Sequence, residues 1–78
     1  MLKQYELYDK NLHNIISKCF INSRRSGLSE IFVIYMDGGR ERIWTYNNNR
    51  YNFDHRDFIG KSKLEAVFYC DRKKPIIF

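Results

Sequence analysis

From residue 9 to residue 20 the apolar positions are Leu12, Ile15, Ile16, Cys19 and Phe20, the i, i+3, i+4, i+7, i+8 spacing of one face of an α-helix. Asp9 stands where an N-cap is expected. Arg24, Arg25 and Gly27 stand where a helix end is expected, because cations suit the negative pole of the helix dipole and glycine suits the left-handed residue past the last turn. The pattern therefore predicts a first helix. Residues 2–8, with Tyr5 and Tyr8 in helical register with Leu12, fit either a backward extension of that helix or a short strand.

Residues 30–36, EIFVIYM, are rich in β-branched and aromatic residues and are bounded by glycines, which predicts a strand running into a tight hairpin at Asp37-Gly38-Gly39. A turn centred on Gly38-Gly39 opposes Ile34 with Ile43 and Val33 with Trp44; a turn centred on Asp37-Gly38 would oppose Ile34 with Glu41. Cross-strand packing favours the first. A second turn at Asn47, Asn48 and Asn49, residues that tolerate left-handed backbone, would return the chain so that Thr45 meets Tyr51 and Ile43 meets Phe53. A three-stranded antiparallel meander results.

Ser62 and Glu65 have the S-x-x-E spacing of a capping box, and Leu64, Val67 and Phe68 give the following residues an apolar stripe. A second helix is expected there, ended by Pro75, although residues 66–70 read alone also fit a strand. The tail, residues 76–78, is expected to lie extended along a sheet edge. The fold class is α+β: an α-β-β-β-α arrangement, residues 1–78 as one small domain, with two helices packed mainly on one face of the sheet.

Composition agrees with a folded chain, at 44% apolar, 17% aromatic and 29% charged residues over 78 positions. Disordered chains are poor in aromatic and branched side chains. Fourteen Lys and Arg against nine Asp and Glu leave a formal charge of +5, which favours an acidic partner such as nucleic acid, a phosphorylated ligand or an acidic protein surface. Solubility alone also accounts for such a charge. The run Ile31 to Met36 is far shorter than the ~20 residues needed to span a bilayer, so no membrane association is expected. Cys19 and Cys70 have no CxxC spacing, no signal-peptide pattern begins at Met1, and the cysteines are expected as reduced core residues of a cytoplasmic protein, a single long-range disulfide between them being the alternative.

Strand alternation sorts the meander into two faces. One holds Phe32, Ile34, Met36, Ile43, Thr45, Tyr51 and Phe53, a core face. The other holds Ile31, Val33, Tyr35, Trp44 and Tyr46 with Arg40, Arg42, Arg50 and Asn52. If both helices lie on the first face, the second is an exposed aromatic and cationic surface, with Trp44, Tyr46 and Tyr35 as anchors and Arg40, Arg42 and Arg50 supplying charge. Such residues dominate protein hot spots and can also stack bases and hold phosphates. The competing reading puts a helix on each face, or dimerises the chain through this sheet, so that the aromatics are core and the arginines reach outward from it.

Signals of catalysis are weak. His55-Arg56-Asp57 echoes the kinase H-R-D loop without the lobes that loop needs, and reads as a polar loop. Gly60-Lys61-Ser62 ends like a phosphate-binding loop, but His55 stands where its first glycine would be. Lys61, Ser62 and Lys63 remain a candidate anion site at a helix start, against ordinary capping by Ser62. No pair among His13, His55 and the cysteines has zinc spacing, and Asp54, Asp57 and Glu65 could form a nuclease centre only if the fold gathered them. Arg72, Lys73 and Lys74, like Arg24 and Arg25, suit a helix C-terminus. No cofactor or metal is implied. The expected function is non-enzymatic binding: a small protein-binding module or inhibitor, of the kind phages and mobile elements encode, docking an acidic surface of a nucleic-acid-handling protein. The alternative is direct binding of single-stranded nucleic acid.

Overall fold

A computed structural model describes residues 9–76; the expectations for residues 2–8 and for residues 77 and 78 lie outside the described residues. Strands β1 (Ile16–Ser23), β2 (Leu28–Tyr35) and β3 (Arg40–Asn47) form an antiparallel sheet in the order β1-β2-β3. A 3-10 turn (His55–Phe58) and one α-helix, α1 (Lys63–Arg72), follow. The architecture is α+β with one helix among the described residues, and the segment expected as a first helix is strand β1.

Two hairpins of the same construction produce this result. Arg24 N–H donates to Leu28 O (2.8 Å) and Gly27 N–H to Arg24 O (3.1 Å); in the second hairpin Tyr35 N–H donates to Gly39 O (2.8 Å) and Gly38 N–H to Tyr35 O (2.9 Å). Each three-residue loop ends on a glycine in the left-handed region, Gly27 at φ 88° and Gly38 at φ 91°, where a side chain would be strained. Gly27 closes a strand loop, so Arg24 and Arg25 belong to a hairpin and compensate no helix dipole. Asp9, expected as a helix N-cap, instead holds a local turn, accepting from Asn11 N–H at 2.9 Å.

The helix-like spacing in β1 has a definite cause. Pairing passes from Ile16↔Tyr35 to Lys18↔Ile34, leaving Ser17 as a bulge, and its hydroxyl donates to Ile34 O at 3.0 Å. The extra residue puts Ile16 and Cys19, three apart, on the same face of a strand, where both are buried; a bulge thus imitates the i, i+3 step of a helix. β3 carries a second bulge: Phe32 pairs with Arg42 but Ile31 with Trp44, so Ile43 is the extra residue. Near the turn Ile34 opposes Arg40 and Val33 opposes Glu41. Neither register considered from the sequence is adopted, because the turn uses Met36, Asp37 and Gly38 as its loop.

The third expected strand does not form. Asn47 O accepts from Arg50 N–H and Tyr51 N–H, both at 3.0 Å, and the chain then crosses the sheet face rather than pairing with β3. There Phe53 and Phe58, 7% and 0% exposed, bury their rings, Phe53 meeting Tyr46 edge-on at 4.7 Å. Helix α1 closes the same face through Ala66 and Cys70, four residues apart and both buried. It starts at the expected capping box, Ser62 Oγ accepting from Glu65 N–H (3.2 Å) and Glu65 Oε1 from Ser62 N–H (3.1 Å). The residues read alternatively as a strand, 66–70, are helical.

Candidate binding face

Pairing and burial together define which side chains share a face. Ser29, Ile31, Val33 and Tyr35 of β2 are buried under α1 and the segment carrying Phe53 and Phe58, joined by Ile16 and Cys19 of β1 and Tyr46 of β3. The opposite face carries Leu28, Glu30, Phe32 and Ile34 along β2, flanked by Lys18, Phe20 and Asn22 on β1 and by Arg40, Arg42 and Thr45 on β3. The face assignment of β2 is therefore the reverse of the expected one: Phe32 and Ile34 lie on the open side, and Ile31, Val33 and Tyr35 are core.

The proposed anchors separate accordingly. Tyr35 is 1% exposed and donates its hydroxyl to Glu41 Oε1 at 2.6 Å. Tyr46 is buried against Phe53, and Trp44 is half-buried against the same core. Arg40 and Arg42 are exposed on the open face, and Arg50 is exposed in the turn after β3. The physical reason is the Ile43 bulge, which changes the parity of β3 so that Arg40 and Arg42 point one way and Trp44 and Tyr46 the other. Met36, expected in the core, is 71% exposed in the hairpin loop.

What the open face offers instead is a strip of apolar side chains bordered by cations. Phe20 and Phe32, directly paired across β1 and β2, are 53% and 37% exposed, and Leu28 is 41% exposed. A groove of about 180 Å³ is lined by Phe20, Phe32, Ile34 and Arg40 together with Val33 and Glu41. Lys18 and Arg40 flank Ile34 on either side and make no ion pair with any other described residue. The sequence carried a signal for Phe20 and Lys18, the likeness of the glycine-closed loop at 25–27 to that at 36–38, which marks β1 as a hairpin strand.

At the centre of this face lies one carboxylate. Glu30 is 2% exposed between Arg24 Nε (2.7 Å from Oε1) and Arg42 Nη1 (2.8 Å from Oε2). Arg42 donates a well-formed hydrogen bond, whereas Arg24 meets Oε1 at an angle outside hydrogen-bond geometry; the short charge-to-charge contact still neutralises that oxygen. The Arg42 hydrogen bond, with Arg24 beside it, holds the Glu30 carboxyl below its usual range against the effect of burial.

The candidate anion site is already filled from within. Lys63 N–H donates to Asn14 O (3.1 Å) and Leu64 N–H to Leu12 O (2.9 Å), so the first-turn donors of α1 are used by residues 12–14 and by the capping box. Lys63 Nζ is held by Asp9 (2.5 Å) and Glu41 (2.8 Å); burial acts against its charge, and the two carboxylates outweigh it and raise its pKa. The Lys61 ammonium donates to Asp57 O.

Other polar groups are committed locally. Asp54 caps the 3-10 turn, accepting from Arg56 N–H at 2.9 Å, and pairs with the Arg56 guanidinium at 2.7 Å, which brings its carboxyl down to about 2. Asp57 accepts from the Tyr69 hydroxyl at 2.9 Å. Among the described residues no three His, Cys, Asp or Glu side chains gather as a metal site, and no helix is long and apolar enough to cross a membrane. No protein-family profile matches the chain, and no curated protein or solved structure is significantly similar to it.

Proposed function

We propose that the chain is a non-enzymatic binding module, a small inhibitor or adaptor, that docks an acidic protein surface through the open face of its sheet. The observation that carries this reading is the strip of exposed Leu28, Phe32 and Phe20 with half-buried Ile34, bordered by Lys18, Arg40 and Arg42. Exposed apolar side chains that are contiguous and rimmed by charge mark interaction sites on soluble domains, and an aromatic centre with arginine at its edge is the composition of a hot spot. The notion of an acidic surface on a nucleic-acid-handling protein rests on the charge of +5 and on that cationic border. A second reading, direct binding of single-stranded nucleic acid, is favoured by the two directly opposed rings Phe20 and Phe32, which could stack bases.

Site-specific photocrosslinking in cells of the native host separates these readings. A benzophenone side chain replacing Phe32 is expected to give a covalent protein adduct, lost when Arg40→Glu is added. The same group replacing Phe68, exposed on the far side of α1, should give none. Nucleic-acid adducts at position 32 would establish the second reading, and equal adducts from both positions would remove the open face as the docking site.

A further inference from the structure

The open face has more cations than it can offer. Arg24 and Arg42 share the Glu30 carboxylate, which is 3% exposed at its side chain and contacts both at less than 3 Å; three charges there sum to one. At the other end of the strip, Lys18 and Arg40 flank the groove lined by Phe20, Phe32 and Ile34 with no carboxylate of the described residues paired to them. Charge and apolar surface are thus divided along β2: an end towards Leu28 where Glu30 holds both arginines and offsets one of their charges, and an available end near Ile34.

We propose that Glu30 is a specificity-determining residue of this face: by holding Arg24 and Arg42 it withholds them from phosphate chains, and it leaves Lys18 and Arg40, beside the apolar groove, to take a carboxylate of an acidic protein segment whose neighbouring apolar side chain enters that groove. The inference rests on the reading of the open face as a protein-docking surface. Its physical basis is that a nucleic-acid strand gains affinity by displacing counterions over several successive phosphates. An acidic peptide needs only one or two cations next to an apolar seat. A buried carboxylate midway along the strip removes the succession of cations and leaves the seat intact.

Two measurements test this. Fluorescence anisotropy of a short labelled oligo(dT) at several salt concentrations compares the wild-type chain with Glu30→Gln, the fold of each being checked by circular dichroism. The variant is expected to bind several-fold tighter, with a log-log salt slope steeper by about 1.4, since each of the two freed arginines adds a phosphate contact and each such contact on a single strand contributes about 0.7; adding Arg42→Gln should halve the gain in slope. An unchanged slope in folded Glu30→Gln overturns the proposal. Independently of any variant, an NMR titration of the wild-type chain with a capped Glu-Leu-Leu-Glu peptide should shift the amides of Lys18, Ile34 and Arg40 and leave Arg24 and Leu28 in place. Equal shifts at Arg24 also overturn it, whereas the absence of shifts anywhere on the sheet would remove the docking reading itself.

Discussion

Cys19 and Cys70 illustrate how burial fixes chemistry at a single atom. Both are free and enclosed, Cys19 on the core side of β1 and Cys70 on the inner side of α1. Burial pushes the Cys19 thiol up to about 11, and burial together with the neighbouring Cys19 pushes Cys70 up to about 12. Since the thiolate is the reactive form, both thiols are inert at neutral pH. N-ethylmaleimide followed by mass spectrometry should label neither cysteine in the native protein and both in denaturant; prompt native labelling would contradict their enclosure. Tyr35 shows the same logic, because burial and then the Glu41 carboxylate raise its hydroxyl well above the usual range, so it serves as a fixed donor linking β2 to β3.

At the scale of elements, the hairpin glycines set where strands end. Gly38 has φ 91° and open space around the place a Cβ would occupy, so Gly38→Ala carries only the conformational penalty of the left-handed region, about 1 to 2 kcal/mol. Urea unfolding should show that loss. Much of this level was legible in the sequence: the β2–β3 hairpin, the capping box of Ser62 and Glu65, and the placement of α1. What escaped was periodicity broken by bulges. Ser17 turned the two-residue step of a strand into the three-residue step from Ile16 to Cys19, and Ile43 separated Arg42 from Trp44; strict alternation grouped Ile31, Val33, Tyr35, Trp44 and Tyr46 correctly but wrongly added Arg40 and Arg42 to them, and the face they share proved to be the covered one. The candidate site shared that fate, for Arg40 and Arg42 were found by their charge, and Phe20 and Phe32 were hidden by parity. The Tyr51–Phe53 stretch read as a strand because its residues suit one, yet the chain instead packs Phe53 against Tyr46, Phe58 and Tyr69 and takes its ring out of water.

For the whole molecule, the carboxylates set the response to acid. Asp9, Glu30, Asp37, Asp54 and Glu65 all lie below their ordinary values of 3.8 or 4.5 through hydrogen bonds from Lys63, Arg42, Gly39, Arg56 and Ser62 respectively. The unfolded chain therefore binds more protons than the native one in this range, so the stability these groups contribute is present above their ordinary values and is lost as pH falls through the native ones. Lys63 has the opposite sign: its raised value contributes stability below 10.5 that disappears as pH rises through it. Thermal melts should hold their midpoint from neutral pH to about 5 and fall steeply from about 4.5 towards 2; a flat profile there would contradict these pairings.

Both outer strands of the sheet, β1 and β3, carry an irregularity, at Ser17 and at Ile43. An outer strand so interrupted offers a shortened straight ladder of amides to a stray chain. Lateral recruitment, the route by which small sheets grow into fibrils, is thereby frustrated at either margin. Crowding the protein should therefore leave it dispersed, with no fibrillar species appearing in thioflavin-T assays.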